Sequence, residues 1–235
     1  MRRSTIDDLN AWIREKWQGY IPAKVAYYPP KIPFQEWEAQ FFMRGLELGL
    51  YDVRASDGIV VYDGFGGETK KNFFYPKSPW MGREAVTQFA ALTRLIEEYK
   101  YPAENVLAES VKRGDAERYN LDALVFDRPR PPRAYTGLEW PSVRIGIEVK
   151  VWPRDLNKLI EQIDNCCAKG KHDKYAHPKR EVCDHAKFQG ILTWQPTYFW
   201  IVSPFCNETY LVKRNNNSFS LKPVQDIPRF TASTL

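Results

Sequence analysis

The chain has 235 residues, 43% hydrophobic and 27% charged, enough to bury a substantial core and far from the composition of a disordered chain. Its 34 basic and 29 acidic residues give a formal charge of +5, which permits a polyanionic partner without requiring one. No run of about 18 apolar residues occurs and the opening "MRRSTIDDLNAWIREKW" lacks an apolar leader core, so no membrane span and a cytoplasmic location are expected.

Residues 1–80 read as an accessory region of helices plus a hairpin, rich in aromatics and proline. "EWEAQFFMRGLELGL" has helical spacing, and "GIVVYDGFGGETKKNFFY" places two apolar runs around a glycine-rich turn. The glycines of "DGFGGETKK" lack the Lys-Ser/Thr ending of a phosphate-binding loop, and no such motif occurs elsewhere. Residues 81–235 read as one α/β domain. "REAVTQFAALTRLIEEYKYP" sets Val86, Phe89, Leu92, Leu95, Ile96 and Tyr99 on one helical stripe closed by Pro102. "NVLAESVK", "YNLDALVFD" and "VRIGIEVKVW" read as strands, the last two separated by the proline-rich "RPRPPRAYTGLEWPS". A helix over "PRDLNKLIEQIDNCCAKG" carries Leu156, Leu159, Ile160, Ile163 and Cys167 at helical spacing up to Gly170. "FQGILTW", "TYFWIVSP" and "TYLVKRN" read as further strands.

The chemistry concentrates on "RIGIEVKVW". Alternation puts Ile145, Ile147, Val149 and Val151 on one face, the core face, and Gly146, Glu148, Lys150 and Trp152 on the other. Glu148 and Lys150 are then about 7 Å apart at the backbone, with Gly146 leaving room beside them. An isolated Glu-Lys pair of this kind is usually an exposed ion pair worth about 0–1 kcal/mol. Asp122, at the start of the preceding strand, is by itself usually a turn residue. Together, a carboxylate from each of two neighbouring strands provides oxygen ligands for Mg²⁺, and a lysine alongside can orient water or neutralise a transition state.

Asp122, then Glu148-Val149-Lys150 on the next strand, within a helix-strand-strand-strand-helix-strand order, resembles the PD-(D/E)XK nuclease superfamily. More narrowly, "LTRLIEEYKYPAENVLAESV", "LDALVFD", "IGIEVK" and "LIEQIDNC", followed by "FQGILTW", resemble the N-terminal nuclease domain of type I restriction endonuclease motor subunits. The resemblance runs from Arg83 to about residue 212. It implies a restriction-endonuclease-like α/β core with a mixed sheet and an N-terminal accessory region. It also implies metal ligation by Asp122, Glu148 and the Val149 carbonyl, with catalysis by Lys150. Gln162 matches the glutamine this subfamily carries on the following helix, although Cys166 stands where the motif has a tyrosine and Leu121 where many members have proline. The glutamate that the superfamily often adds from its first helix would be Glu84, with Glu109 the second choice. The implied cofactor is Mg²⁺, with Mn²⁺ as a substitute, and the implied activity is DNA cleavage in bacterial or phage restriction or defence.

Cys166, Cys167, His172, His177, Cys183 and His185 crowd one segment. Their spacing matches no familiar zinc pairing, so buried thiols weigh against a structural zinc. The same segment carries Lys169, Lys171 and Lys174, and the loop before the Glu148 strand carries Arg130. These basic residues are candidates for gripping nucleic-acid phosphates, against the alternative of solvated loops. A non-cleaving nucleic-acid-binding or assembly subunit, a nuclease dependent on a partner motor or recognition protein, and a homodimer all stay open.

Overall fold

The computed structural model describes residues 5–20, 27–56, 58–65, 70–74, 81–108, 121–130, 140–162, 185–215 and 218–231. Helix α1 (Ile6–Tyr20) starts at Thr5, whose Oγ1 accepts the Asp8 amide at 3.2 Å while Asp8 Oδ2 accepts the Thr5 amide at 2.9 Å. Leu9, Ile13 and Trp17, four apart, form its buried stripe. Helix α2 (Glu36–Glu47) ends where Gly49 takes φ +67°. There the Gly49 and Leu50 amides donate to the carbonyls of Leu46 and Gly45, a stop that needs the left-handed backbone glycine adopts freely. Strands β1 (Asp52–Arg54), β2 (Ile59–Val61) and β3 (Lys70–Asn72) make a small antiparallel sheet, and its β2–β3 ladder is the hairpin expected from sequence.

Helix α3 (Arg83–Glu97) is buried at most positions and packs on α2. A buried ion pair joins them. Arg83 Nη2 meets Glu38 Oε2 at 2.5 Å and Nη1 donates to Oε1 at 2.8 Å, while Thr87 Oγ1 also donates to Oε1 at 2.6 Å. The guanidinium donates further to the carbonyls of Ile32 and Pro33, so a charge pair costly to desolvate is offset by matched hydrogen bonds. Tyr51 donates to the Phe42 carbonyl at 2.7 Å, and complete burial pushes its phenol pKa up.

By packing, the chain divides into two compact units, Met1–Ala103 with Arg229–Leu235, and Glu104–Pro228. The sequence boundary drawn at 80/81 differs from this division, which assigns α3 to the first unit.

The second unit is built on a six-stranded mixed sheet in the order β4-β5-β6-β7-β8-β9. Its strands are β4 (Val106–Ala108), β5 (Ala123–Phe126), β6 (Val143–Val149), β7 (Tyr198–Val202), β8 (Asn207–Asn215) and β9 (Ser218–Val224). All neighbours are antiparallel except β6 and β7. Leu107, Leu124, Phe199, Ile201 and Tyr210 project from one face into a cluster with Leu156 and Leu159 of helix α4 (Pro153–Gln162) and Ile191 and Trp194 of helix α5 (His185–Trp194). The opposite face, with Val106, Val125, Ile145, Ile147 and Trp200, is buried as well, which explains why β6 reads as a near-continuous apolar run.

One expected strand is overturned. "FQGILTW" is the end of α5, and the strand expected after it at "TYFWIVSP" is β7. A short apolar run suits a buried helix as well as a strand. The stop decides it: Gln195 takes φ +52°, its amide donates to the Ile191 carbonyl at 2.8 Å, and Pro196 follows. Strand β9 was not expected from sequence. Its Pro223 is tolerated because β9 is an edge strand.

Candidate active site

Glu148 sits near the carboxyl end of β6, on the face that α4 and α5 cover, with Ile201 of β7 as its ladder neighbour. It is completely buried. Its Oε1 accepts the Lys150 ammonium at 2.5 Å, and the Lys150 side chain is 20% exposed. Lys150 itself stands just past β6, tied to β7 by its amide, which donates to the Val202 carbonyl at 2.9 Å. The pair therefore occupies a rigid strand end, one member dry and the other reaching solvent.

Asp122 precedes β5 and is clamped around Glu148. Its amide donates to the Ile147 carbonyl at 2.9 Å, and its Oδ2 accepts the Val149 amide at 2.7 Å. Those two bonds grip the residues on either side of Glu148, so the Asp122 carboxylate is fixed beside it. Val149, for which the resemblance implies a carbonyl ligand, contributes its N–H to hold Asp122. That role is invisible in sequence because it comes from backbone register.

The space beside Gly146 is not open. A Cβ there would lie 2.8 Å from Leu121 Cδ1 and 3.2 Å from Pro196 Cγ. The glycine admits these two apolar groups, where open room beside Glu148 and Lys150 is expected from sequence. Leu121, the immediate neighbour of Asp122, is itself fully buried.

Gln162 is the last described residue of α4, buried on the stripe of Leu156 and Leu159. Among the described residues its Nε2 has no hydrogen-bond partner, an uncommon state for a buried amide. Glu84 lies on α3 in the first unit, where its Oε1 pairs with Lys71 at 3.2 Å. Arg130 is anchored on Glu104, whose carbonyl accepts both its amide at 3.0 Å and its Nη1 at 2.9 Å. Lys169, Lys171 and Lys174 lie outside the described residues, as do Glu109, Cys166, Cys167, His172, His177 and Cys183, and the His185 side chain is likewise not described. Cys206, at the β7–β8 turn and packed against the core cluster, has its thiol pKa raised by burial and by Glu208.

Two carboxylates and an ammonium thus meet at one strand end, in a setting that can hold a hard cation and place positive charge next to it. Among the described residues no group of three or more His, Cys, Asp or Glu side chains is placed to hold a metal. No helix among them is long and apolar enough to cross a membrane. Comparison of the chain with protein-family models, curated proteins and solved structures finds no match.

Proposed function

We propose that the chain is a metal-dependent DNA nuclease with a PD-(D/E)XK-type site, in which Asp122, Glu148 and Lys150 carry phosphodiester hydrolysis. The observation that carries this reading is the clamp of Asp122 on Val149 beside the buried Glu148–Lys150 pair. Chain order within the second unit supports it: β4, β5, β6, α4 and β7 follow the order of that superfamily, with α5 inserted before β7, while α3, the helix expected to open that order, belongs to the first unit. The donor set also fits, since Mg²⁺ or Mn²⁺ accepts two carboxylates as protein anchors and keeps water for the rest of its shell. Such a cation, when bound, supplies a water of lowered pKa and charge for a phosphoryl oxygen.

Asp122 and Glu148 would hold the ion, Asp122 presented by the Val149 amide and Glu148 by its position in the ladder. Lys150 keeps an ammonium at the solvent-facing side of the pair, where negative charge develops on the phosphate. A restriction or defence role follows from the resemblance. Incubation with linear, circular and single-stranded DNA in Mg²⁺ or EDTA tests the assignment. Wild type should cut in Mg²⁺ only, and Lys150→Ala and Asp122→Asn should each lose about 100-fold or more in rate. Cutting that persists in EDTA or in Lys150→Ala would sink the mechanism, and no cutting by wild type would favour a binding or assembly role or a nuclease active only with a partner protein.

A further inference from the structure

The exposed large apolar side chains among the described residues are Tyr28, Leu48, Trp152 and Phe205. Trp152 is 49% exposed and Phe205 52%, and both belong to the second unit. Their positions are related. Strands β6 and β7 run parallel with Val149 opposite Val202, and each aromatic stands three residues beyond its member of that pair. Both backbones are fixed. The Trp152 carbonyl accepts the Asp155 and Leu156 amides at 3.0 Å as the first turn of α4. Phe205 sits in a turn closed by Ser203 N–H to the Cys206 carbonyl at 3.0 Å, with its own amide on Ser203 Oγ at 3.3 Å.

A lone exposed aromatic needs no explanation. Two of them, rooted at the carboxyl ends of neighbouring parallel strands next to Glu148 and Lys150, occupy the place where α/β sheets hold ligands. Arg154 and Lys158 follow on α4, both exposed and four residues apart, so their charges share one helix face. Exposed aromatics on a fixed backbone, combined with cations, form the pattern that binds single-stranded nucleic acid: rings stack on bases of any sequence while cations meet the backbone. In a duplex the base faces are already stacked and out of reach.

We infer that Trp152 and Phe205 form a stacking platform for unpaired bases and that the substrate class of this site is single-stranded DNA, an inference that rests on the nuclease reading of Asp122, Glu148 and Lys150. The test is binding in EDTA, where cleavage is off, using a labelled single strand of about 20 nucleotides, longer than a typical single-strand footprint, and the matching duplex. The single strand should bind tighter than the duplex. Trp152→Ala and Phe205→Ala should each weaken it by about tenfold or more, while Trp152→Phe, which keeps a ring, stays close to wild type. Equal or tighter duplex binding, or single-strand affinity unmoved by the double alanine variant, would overturn the platform. Cleavage in Mg²⁺ is read separately. Stacking-dependent binding without cleavage leaves the platform and removes cleavage by the chain on its own, whereas cleavage of duplex at an unchanged rate in the double variant does the reverse.

Discussion

Glu148 has no exposed surface, and Lys150, with a fifth of its side chain in water, is its partner at 2.5 Å. Removing one member of such a pair leaves a charge in a medium that solvates it poorly, which costs more than the intact pair contributes. Lys150→Met should therefore destabilise the protein by about 3 kcal/mol. Glu148→Gln, which leaves only a partly solvated ammonium, should cost about 1 kcal/mol, and the double variant should be more stable than Lys150→Met alone. Urea unfolding midpoints decide this, and a Lys150→Met variant no less stable than Glu148→Gln would show that the carboxylate is not held as a buried charge. The types and spacing of Asp122, Glu148 and Lys150 were legible in sequence because a charge inside an apolar strand stands out. That Gly146 serves Leu121 and Pro196, and that the Val149 amide fixes Asp122, was not legible, since both depend on which atoms other elements bring to the strand.

At the scale of elements, β6 is positioned by three neighbours at once: β5, β7 and the helix layer of α4 and α5 over its Glu148 face. On that face Gly146 is approached by two residues that lie outside the helices, Leu121 before β5 and Pro196 after α5. Gly146→Ala drives a methyl against Leu121 Cδ1 and Pro196 Cγ. The leucine end can yield by rotation and the proline ring cannot, so the stability cost should be modest, about 1–2 kcal/mol. Leu121 precedes Asp122 directly, so its displacement should disturb the carboxylate clamp, and nuclease activity should fall by more than the stability loss accounts for. A variant that melts lower yet cuts at the wild-type rate would separate Leu121 from the site. Helices α2, α3 and α4 were readable from local periodicity and strands β4 to β8 from short apolar runs, whereas α1 was not marked out as a helix despite its stripe of Leu9, Ile13 and Trp17. "FQGILTW" was not readable, because a helix and a strand buried on all sides share one composition, and the deciding signal is the left-handed Gln195 with Pro196 behind it.

The division of the whole molecule is the property least written in local pattern, because the amphipathic stripe of α3 says that it must be covered and not by what. Two long-range features assign it. The Glu38–Arg83–Thr87 network ties it to α2, and the chain's last described segment returns to the same unit. There the Phe230 amide donates to the Tyr99 carbonyl at 2.7 Å, and the Phe230 ring lies 5.5 Å from that of Tyr101, which is 2% exposed. The first unit is thus closed by residues far apart in sequence, and a fragment ending near residue 103 lacks a piece of its own core. The aromatic pair contributes about 0.5–1.5 kcal/mol and the backbone bond about 1 kcal/mol, so deleting residues 229–235 should cost the first unit about 2 kcal/mol. Amide exchange resolves where that loss falls. Protection across α2 and α3 should drop by about thirtyfold, since about 1.4 kcal/mol corresponds to tenfold, while the amides of β5, β6 and β7 keep theirs. An equal loss in both units would mean that they unfold as one cooperative body, and no loss in α3 would mean that the returning segment adds nothing to the core it touches.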